Sequence, residues 1–109
     1  MSESSFTFRI NKNSIEQLQK TAKNNNRIAS QLVRDFMLSY IDEKGVKWAN
    51  IILTDFDDKS LEGISSKFGI KVEFSLVNNF KIKAKKNNHV PSKIIRAAIQ
   101  QYIMQNTKA

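Results

Sequence analysis

The sequence predicts a mainly α-helical protein with short strands, made of two copies of one strand–helix–turn–helix unit. Three observations predict it. The stretch Asn25 to Ile41, NNRIASQLVRDFMLSYI, returns 62 residues later as Asn87 to Ile103, NNHVPSKIIRAAIQQYI. Each copy is preceded by apolar residues at helical spacing, and that stripe by residues alternating with period two. Size is the third: 109 residues make one ordinary domain. A unit of roughly 45 residues buries too little surface to be stable alone, so two units are expected to share one core.

Aligned without a gap, the copies share Asn25/Asn87, Asn26/Asn88, Ser30/Ser92, Arg34/Arg96, Tyr40/Tyr102 and Ile41/Ile103. Apolar pairs lie between them: Ile28/Val90, Leu32/Ile94, Val33/Ile95 and Met37/Ile99. Identity at matched helical positions over this length marks an internal repeat. The chain divides into a first unit (1–45), a connecting segment with its own secondary structure (46–66) and a second unit (67–109).

In the first unit, Phe6-Thr7-Phe8-Arg9-Ile10 reads as a half-buried strand, with Phe6, Phe8 and Ile10 inward and Ser5, Thr7 and Arg9 outward. Asn13 or Ser14 is placed to cap a helix, with Gln17 completing a capping box after Ser14. Ile15, Leu18 and Ala22 form that helix's apolar stripe, and Asn24-Asn25-Asn26 is turn chemistry, because Asn tolerates a left-handed backbone. A second helix is expected from about Ala29 to Asp42, burying Leu32, Val33, Phe36, Met37 and Tyr40, with Gly45 as its stop.

In the connecting segment, Val46 to Leu53 is apolar enough to pack, as a strand or as more helix. The acidic Asp55-Phe56-Asp57-Asp58 opens an expected helix from Lys59 to Phe68, with Leu61, Ile64 and Phe68 in its stripe and Gly69 at its end. The strand of the second unit has two registers. The gapless one places Phe68, Ile70 and Val72 inward and Lys67, Gly69 and Lys71 outward, and matches Val77, Phe80 and Ala84 to Ile15, Leu18 and Ala22. The other runs from Ile70 to Leu76 and shortens the following helix by about one turn. The pairing of stripes favours the gapless register. Pro91 suits the first position of the last helix, where its missing N–H costs nothing.

Charge narrows the function. The chain carries 18 Lys and Arg against 10 Asp and Glu, a net +8. The excess is local: residues 67–109 hold 9 basic residues and 1 acidic one, including a cluster at Lys81, Lys83, Lys85 and Lys86, whereas residues 46–66 are net acidic. A small basic domain points to a polyanion, nucleic acid before membrane. With no cysteine there is no disulfide framework or thiolate metal site, and a reducing cytoplasm is the expected setting. No apolar run approaches the ~20 residues of a membrane span. His89 has no second ligand nearby, Ser60 stands where a calcium loop needs Gly, and no nucleophile–base set or phosphate-cradling glycine loop is visible. The sequence therefore predicts no enzyme, no cofactor and no metal.

Strand, helix, Asn-rich turn, then a helix opening with Ser-x-apolar-apolar-Arg resembles the ribbon-helix-helix (Arc/MetJ/CopG) superfamily. The matching residues are Phe6-Thr7-Phe8-Arg9-Ile10, Ala22, Asn25-Asn26 and Ser30-Gln31-Leu32-Val33-Arg34, then Ala84, Asn87-Asn88 and Pro91-Ser92-Lys93-Ile94-Ile95-Arg96. Two units in one chain are similar to the tandem arrangement of TraY. Where the family usually has glycine in the turn, this chain has Asn26 and Asn88.

The resemblance implies a pseudo-dimer in which the two strands pair into an antiparallel ribbon and enter the major groove of double-stranded DNA. Ser5, Thr7, Arg9, Lys67 and Lys71 would face bases. Ala29, Ser30, Gln31, Ser92 and Lys93, at the starts of the second helices, would meet phosphates. Arg34 and Arg96, deeper in those helices, are expected to serve structure. The implied role is a repressor or a plasmid or phage DNA-processing accessory factor, nucleoid-associated in a bacterial or phage-infected cell, with room for self-association on DNA. An antitoxin-like protein that binds a partner through the middle segment, and a nonspecific nucleic-acid binder using the Lys81–Lys86 cluster, are the alternatives. The sequence leaves open whether the units pair within or between chains.

Overall fold

The structure, a computed structural model, describes residues 3–42, 44–55 and 65–106. In chain order it contains β1 (Glu3–Asn11), α1 (Lys12–Asn24), α2 (Ala29–Ile41), α3 (Gly45–Asp55), β2 (Ser65–Glu73), α4 (Phe74–Lys86) and α5 (Pro91–Asn106). The protein is mainly helical, with one two-stranded antiparallel sheet among the described residues. Strand and first helix of the two copies have matching bounds at the 62-residue offset, so the gapless register holds. The Ile70–Leu76 strand does not form. Glu73 precedes α4, and Leu76, Val77, Phe80 and Ala84 are that helix's buried stripe, which a longer strand would have broken.

β1 and β2 pair along their whole length, from Glu3↔Glu73 through Thr7↔Gly69 to Asn11↔Ser65. This register maps onto itself when the copies are exchanged: Phe6↔Ile70 becomes Phe68↔Phe8, which is also a pair. Thr7↔Gly69 lies at its centre. Period-two alternation puts Phe6, Phe8, Ile10, Ile70 and Val72 on one face, all buried, and leaves the other face to solvent.

α1, α2, α4 and α5 meet the ribbon, and α3 packs on α5 and α2. α1 packs against α5, and α4 against α2, so the first helix of each copy lies mainly on the second helix of the other. One cluster joins Leu18, Val33, Met37 and Tyr40 of the first copy to Phe80, Ile94, Ile95 and Ile99 of the second. Neither copy keeps a core of its own.

Asparagine ends the first helix of each copy. Asn26 and Asn88 have φ of 57° and 59°, the left-handed conformation. The following amide reaches back to the helix, Arg27 N to Ala22 O at 2.7 Å and His89 N to Ala84 O at 2.8 Å. Together with Asn26 N to Lys23 O (3.0 Å) and Asn88 N to Lys85 O (3.1 Å), this is a complete Schellman closure with Asn in the place of Gly. The N-terminal cap of α1 is neither Asn13 nor Ser14 but Asn11, whose Oδ1 accepts from Ser14 N at 2.7 Å. Ser14 is instead buried, and its hydroxyl accepts from Gln100 Nε2 at 2.6 Å. No Ser14–Gln17 capping box can form with Ser14 inside the first turn.

The connecting segment supplies α3, which resolves Val46–Leu53 as helix. Gly45 starts this helix rather than stopping the previous one, and it carries no side chain because a Cβ there would run into the carbonyl oxygens of Ser39 and Tyr40. Of the helix expected at Lys59–Phe68, residues 59–64 lie outside the described residues, while Ser65 to Phe68 are strand. Phe68 is committed to the ribbon by its pairing with Phe8, and Gly69 lies mid-strand rather than at a helix end. α3 docks on α5 because the second copy has Ala97 and Ala98 where the first has Asp35 and Phe36. Ile52 packs on those alanines, and Trp48 Nε1 donates to Gln101 Oε1 at 3.2 Å.

Two outcomes follow from this packing. Residues 1–45 and 46–109, produced separately, lack stable helix by far-UV circular dichroism, and mixing them restores it. Asn88→Gly leaves stability near wild type, whereas Asn88→Val, a β-branched residue forced to positive φ, loses about 1–2 kcal/mol in urea unfolding.

Candidate nucleic-acid interface

The solvent face of the ribbon carries the residues expected to read bases. Ser5, Thr7 and Arg9 are exposed on β1, and Lys67, Gly69 and Lys71 on β2. Pairing arranges them as three rungs, Ser5↔Lys71, Thr7↔Gly69 and Arg9↔Lys67. At the central rung a Cβ on Gly69 would come within 3.3 Å of Thr7 Oγ1, so the missing side chain keeps that rung low.

Each end of the ribbon meets the second helix of one copy. At the Arg9 end, a recess of about 490 Å³ is lined by Thr7, Phe8, Arg9, Ser65, Ser92 and Arg96. Arg9 Nε donates to Ser65 Oγ (3.1 Å) and Nη2 to Ser65 O (3.4 Å). Arg96, almost fully buried, donates from Nη1 to Arg9 O at 3.1 Å. Ser92 therefore borders the ribbon, with exposed Lys93 beside it in the first turn of α5. Pro91 at the first helical position removes one amide donor there.

At the other end α2 packs against β2, and Arg34 holds Glu73 in a two-bond fork, Nε to Oε1 at 2.8 Å and Nη2 to Oε2 at 3.1 Å. Ala29 and Ser30 are half-buried and Gln31 exposed in the first turn of α2, and its N-cap Ile28 offers no side-chain acceptor. Ser92, in the first turn of α5, thus borders one end of the ribbon, and Arg34, a turn further into α2, reaches the other. Arg34 and Arg96 each reach from the second helix of one copy to the strand of the other. Their helical spacing gave no sign of those targets.

The fork sets a local electrostatic balance. The hydrogen bond from Arg34, followed by its charge, holds the Glu73 carboxyl below its usual range, and the bond to Glu73 raises Arg34. Both groups are open to solvent, so the pair adds little stability. Arg27 makes a second ion pair, with Asp35, inside the first copy.

The Lys81–Lys86 cluster is not one surface. Lys81, Lys85 and Lys86 are exposed on α4, but Lys83 turns inward. Its Nζ donates to the carbonyls of Ile41 (2.7 Å) and Asp42 (3.2 Å), placing a cation at the negative end of α2. His89 also has a structural setting. Its Nδ1 shares a hydrogen bond with the Tyr40 hydroxyl at 2.8 Å, and Nε2 with Asn50 Oδ1 at 2.9 Å, linking α2, the turn and α3. Burial pushes the Tyr40 phenol up, and a bond from the Asn87 side chain partly offsets it. Among the described residues no three His, Cys, Asp or Glu side chains gather as metal ligands, and no helix is long and apolar enough to cross a membrane.

The chain matches no family model, no curated protein and no solved structure.

The fork has a testable pH signature. A depressed folded-state pKa contributes stability above the unfolded value and loses it as pH falls through the folded one. Glu73→Gln therefore lowers the melting temperature slightly at pH 7, and the difference from wild type vanishes in acid below the ordinary glutamate range. A deficit that persisted there would have another origin.

Proposed function

We propose that this chain is a sequence-specific double-stranded DNA-binding protein of the ribbon-helix-helix kind, one polypeptide supplying both halves of the pseudo-dimer. The observation that carries the reading is the ribbon itself: two antiparallel strands whose solvent face presents Ser5, Thr7, Arg9, Lys67 and Lys71 around a glycine. Two strands lie about 4.8 Å apart, and a B-DNA major groove is about 12 Å wide, so such a ribbon enters it face first.

The roles follow from side-chain chemistry. Arg9 is the reader of guanine, because its planar donor fork matches O6 and N7 together. Lys67 and Lys71 donate to guanine or phosphate, and the hydroxyls of Thr7 at the centre and Ser5 at the margin accept or donate at base edges. Ser30, Gln31, Ser92 and Lys93, with the amides of Ala29 and its neighbours, take phosphates at either side of the groove, where the helix dipoles favour an anion. These contacts position the ribbon, and its outward side chains specify the sequence. Binding at an operator would make the protein a repressor. Binding at a processing site would make it an accessory factor in plasmid or phage DNA metabolism.

Selection of bound duplexes from a random pool tests the reading. Wild type selects a defined motif, and Arg9→Ala relaxes one position at a loss of about 1–3 kcal/mol in discrimination. Equal retention of every sequence, with strong salt dependence, would instead assign the exposed Lys81, Lys85 and Lys86 to nonspecific binding. No retention at low salt would leave a protein partner for the middle segment.

A further inference from the structure

We infer that Glu73 gives the ribbon a direction. It is an intramolecular competitor for the DNA phosphate that Arg34 would otherwise take, so the chain grips one half of an asymmetric duplex more strongly than the other. This rests on the DNA-binding reading above.

The strand pairing is symmetric in position but not in chemistry. Because the register maps onto itself about Thr7↔Gly69, each residue on one side of the centre has a counterpart on the other: Arg9 answers to Lys71, Lys67 to Ser5, and Asn11 to Glu73. A symmetric ribbon would carry equal charge on both sides. This one does not. Outward from the centre on one side come Arg9↔Lys67, then Asn11↔Ser65, two cations and no carboxylate. On the other side come Ser5↔Lys71, then the pair that holds Glu73, one cation and one carboxylate.

Arg34 is engaged by both oxygens of the Glu73 carboxylate. Arg9 itself binds a hydroxyl and a carbonyl, both neutral. A phosphate displaces neutral acceptors readily, but at Arg34 it must displace a charge-assisted fork and lie beside the carboxylate it has displaced. Arg34 and Glu73 are solvent-accessible, with side chains 42% and 51% exposed, so the exchange needs no unfolding. The half-site beneath Arg9 and Lys67 is the strong one. That beneath Ser5 and Lys71 is weak.

The test uses the full chain on a duplex selected by wild type, comparing wild type, Glu73→Gln and the double variant Glu73→Gln/Arg34→Ala. Phosphate-ethylation interference locates the backbone contacts. Asn13→Cys, exposed just beyond the Arg9 end in a chain without cysteine, carries a tethered cleaving agent to mark orientation. In wild type the interfering phosphates are expected to cluster on the marked half. Glu73→Gln adds contacts on the unmarked half and steepens the slope of log affinity against log salt by about 0.9 per phosphate gained. The double variant returns to the wild-type slope, because the gain belongs to Arg34.

Equal interference on both halves of the wild-type complex overturns the inference. So does an unchanged slope in Glu73→Gln, or a steepening that survives removal of Arg34, since repulsion by Glu73 alone would explain that. In each of these cases DNA binding itself stands. Failure of wild type to bind any duplex at low salt overturns the DNA-binding reading, and this inference with it.

Discussion

The structure depends on the full-length antiparallel pairing of β1 with β2. A two-stranded ribbon is marginal by itself, and needs an apolar face covered by something else. Here Phe6, Phe8, Ile10, Ile70 and Val72 supply that face, and the helices that cover it come from both copies. Once Phe8 lies opposite Phe68 and Phe6 opposite Ile70, the first helix of each copy is delivered onto the second helix of the other. A shift of one residue would turn every inward side chain to solvent. The register therefore sets both the core and the outward face, and the same alternation that buries the phenylalanines exposes Thr7, Arg9, Lys67 and Lys71.

Several residues identical between the copies join one copy to the other. Asn25 Nδ2 donates to the Tyr102 hydroxyl at 2.9 Å, and the Tyr40 hydroxyl shares a hydrogen bond with His89 Nδ1 at 2.8 Å, so each tyrosine meets the turn of the opposite copy. Arg34 and Arg96 likewise cross to the opposite strand. Asn26 and Asn88 are held by backbone conformation, since both occupy the left-handed region that closes a helix. Other matched positions differ. Ala97 and Ala98 stand where the first copy has Asp35 and Phe36, and the small pair makes room for Ile52 of α3.

Much of this was legible because it is periodic. Alternation at Phe6–Ile10, helical stripes at Leu18 and Ala22 or Phe80 and Ala84, and the 62-residue repeat place four helices and both strands. What escaped was decided by contacts between distant residues or by backbone approach. Gly45 looks like a helix stop in one dimension, and only the nearness of the Ser39 and Tyr40 carbonyls shows why the residue that begins α3 has no side chain. Phe68 fits a helical stripe with Leu61 and Ile64 as well as it fits a strand, until its pairing with Phe8 decides the matter. In the candidate interface the outward residues follow from alternation, but the Arg34–Glu73 fork joins residues 39 positions apart and leaves no local pattern. The one signal available was Glu73 itself, the single acidic residue of a strongly basic second unit, standing where the first unit has Asn11.

Joining two copies in one chain allows the two halves of the ribbon to differ. When identical chains pair, a residue on one strand appears on the other, and every outward side chain is presented twice about the two-fold axis. Covalent linkage removes that constraint, and the register here is still symmetric about Thr7↔Gly69. The buried face retained its symmetry because packing requires it: both strands still turn alternate apolar residues inward, and both turns still close on asparagine. The outward face had no such requirement, and there Arg9 faces Lys67 while Ser5 faces Lys71. The core fixes where the six outward positions stand, and leaves their chemistry free to differ from one half of the ribbon to the other.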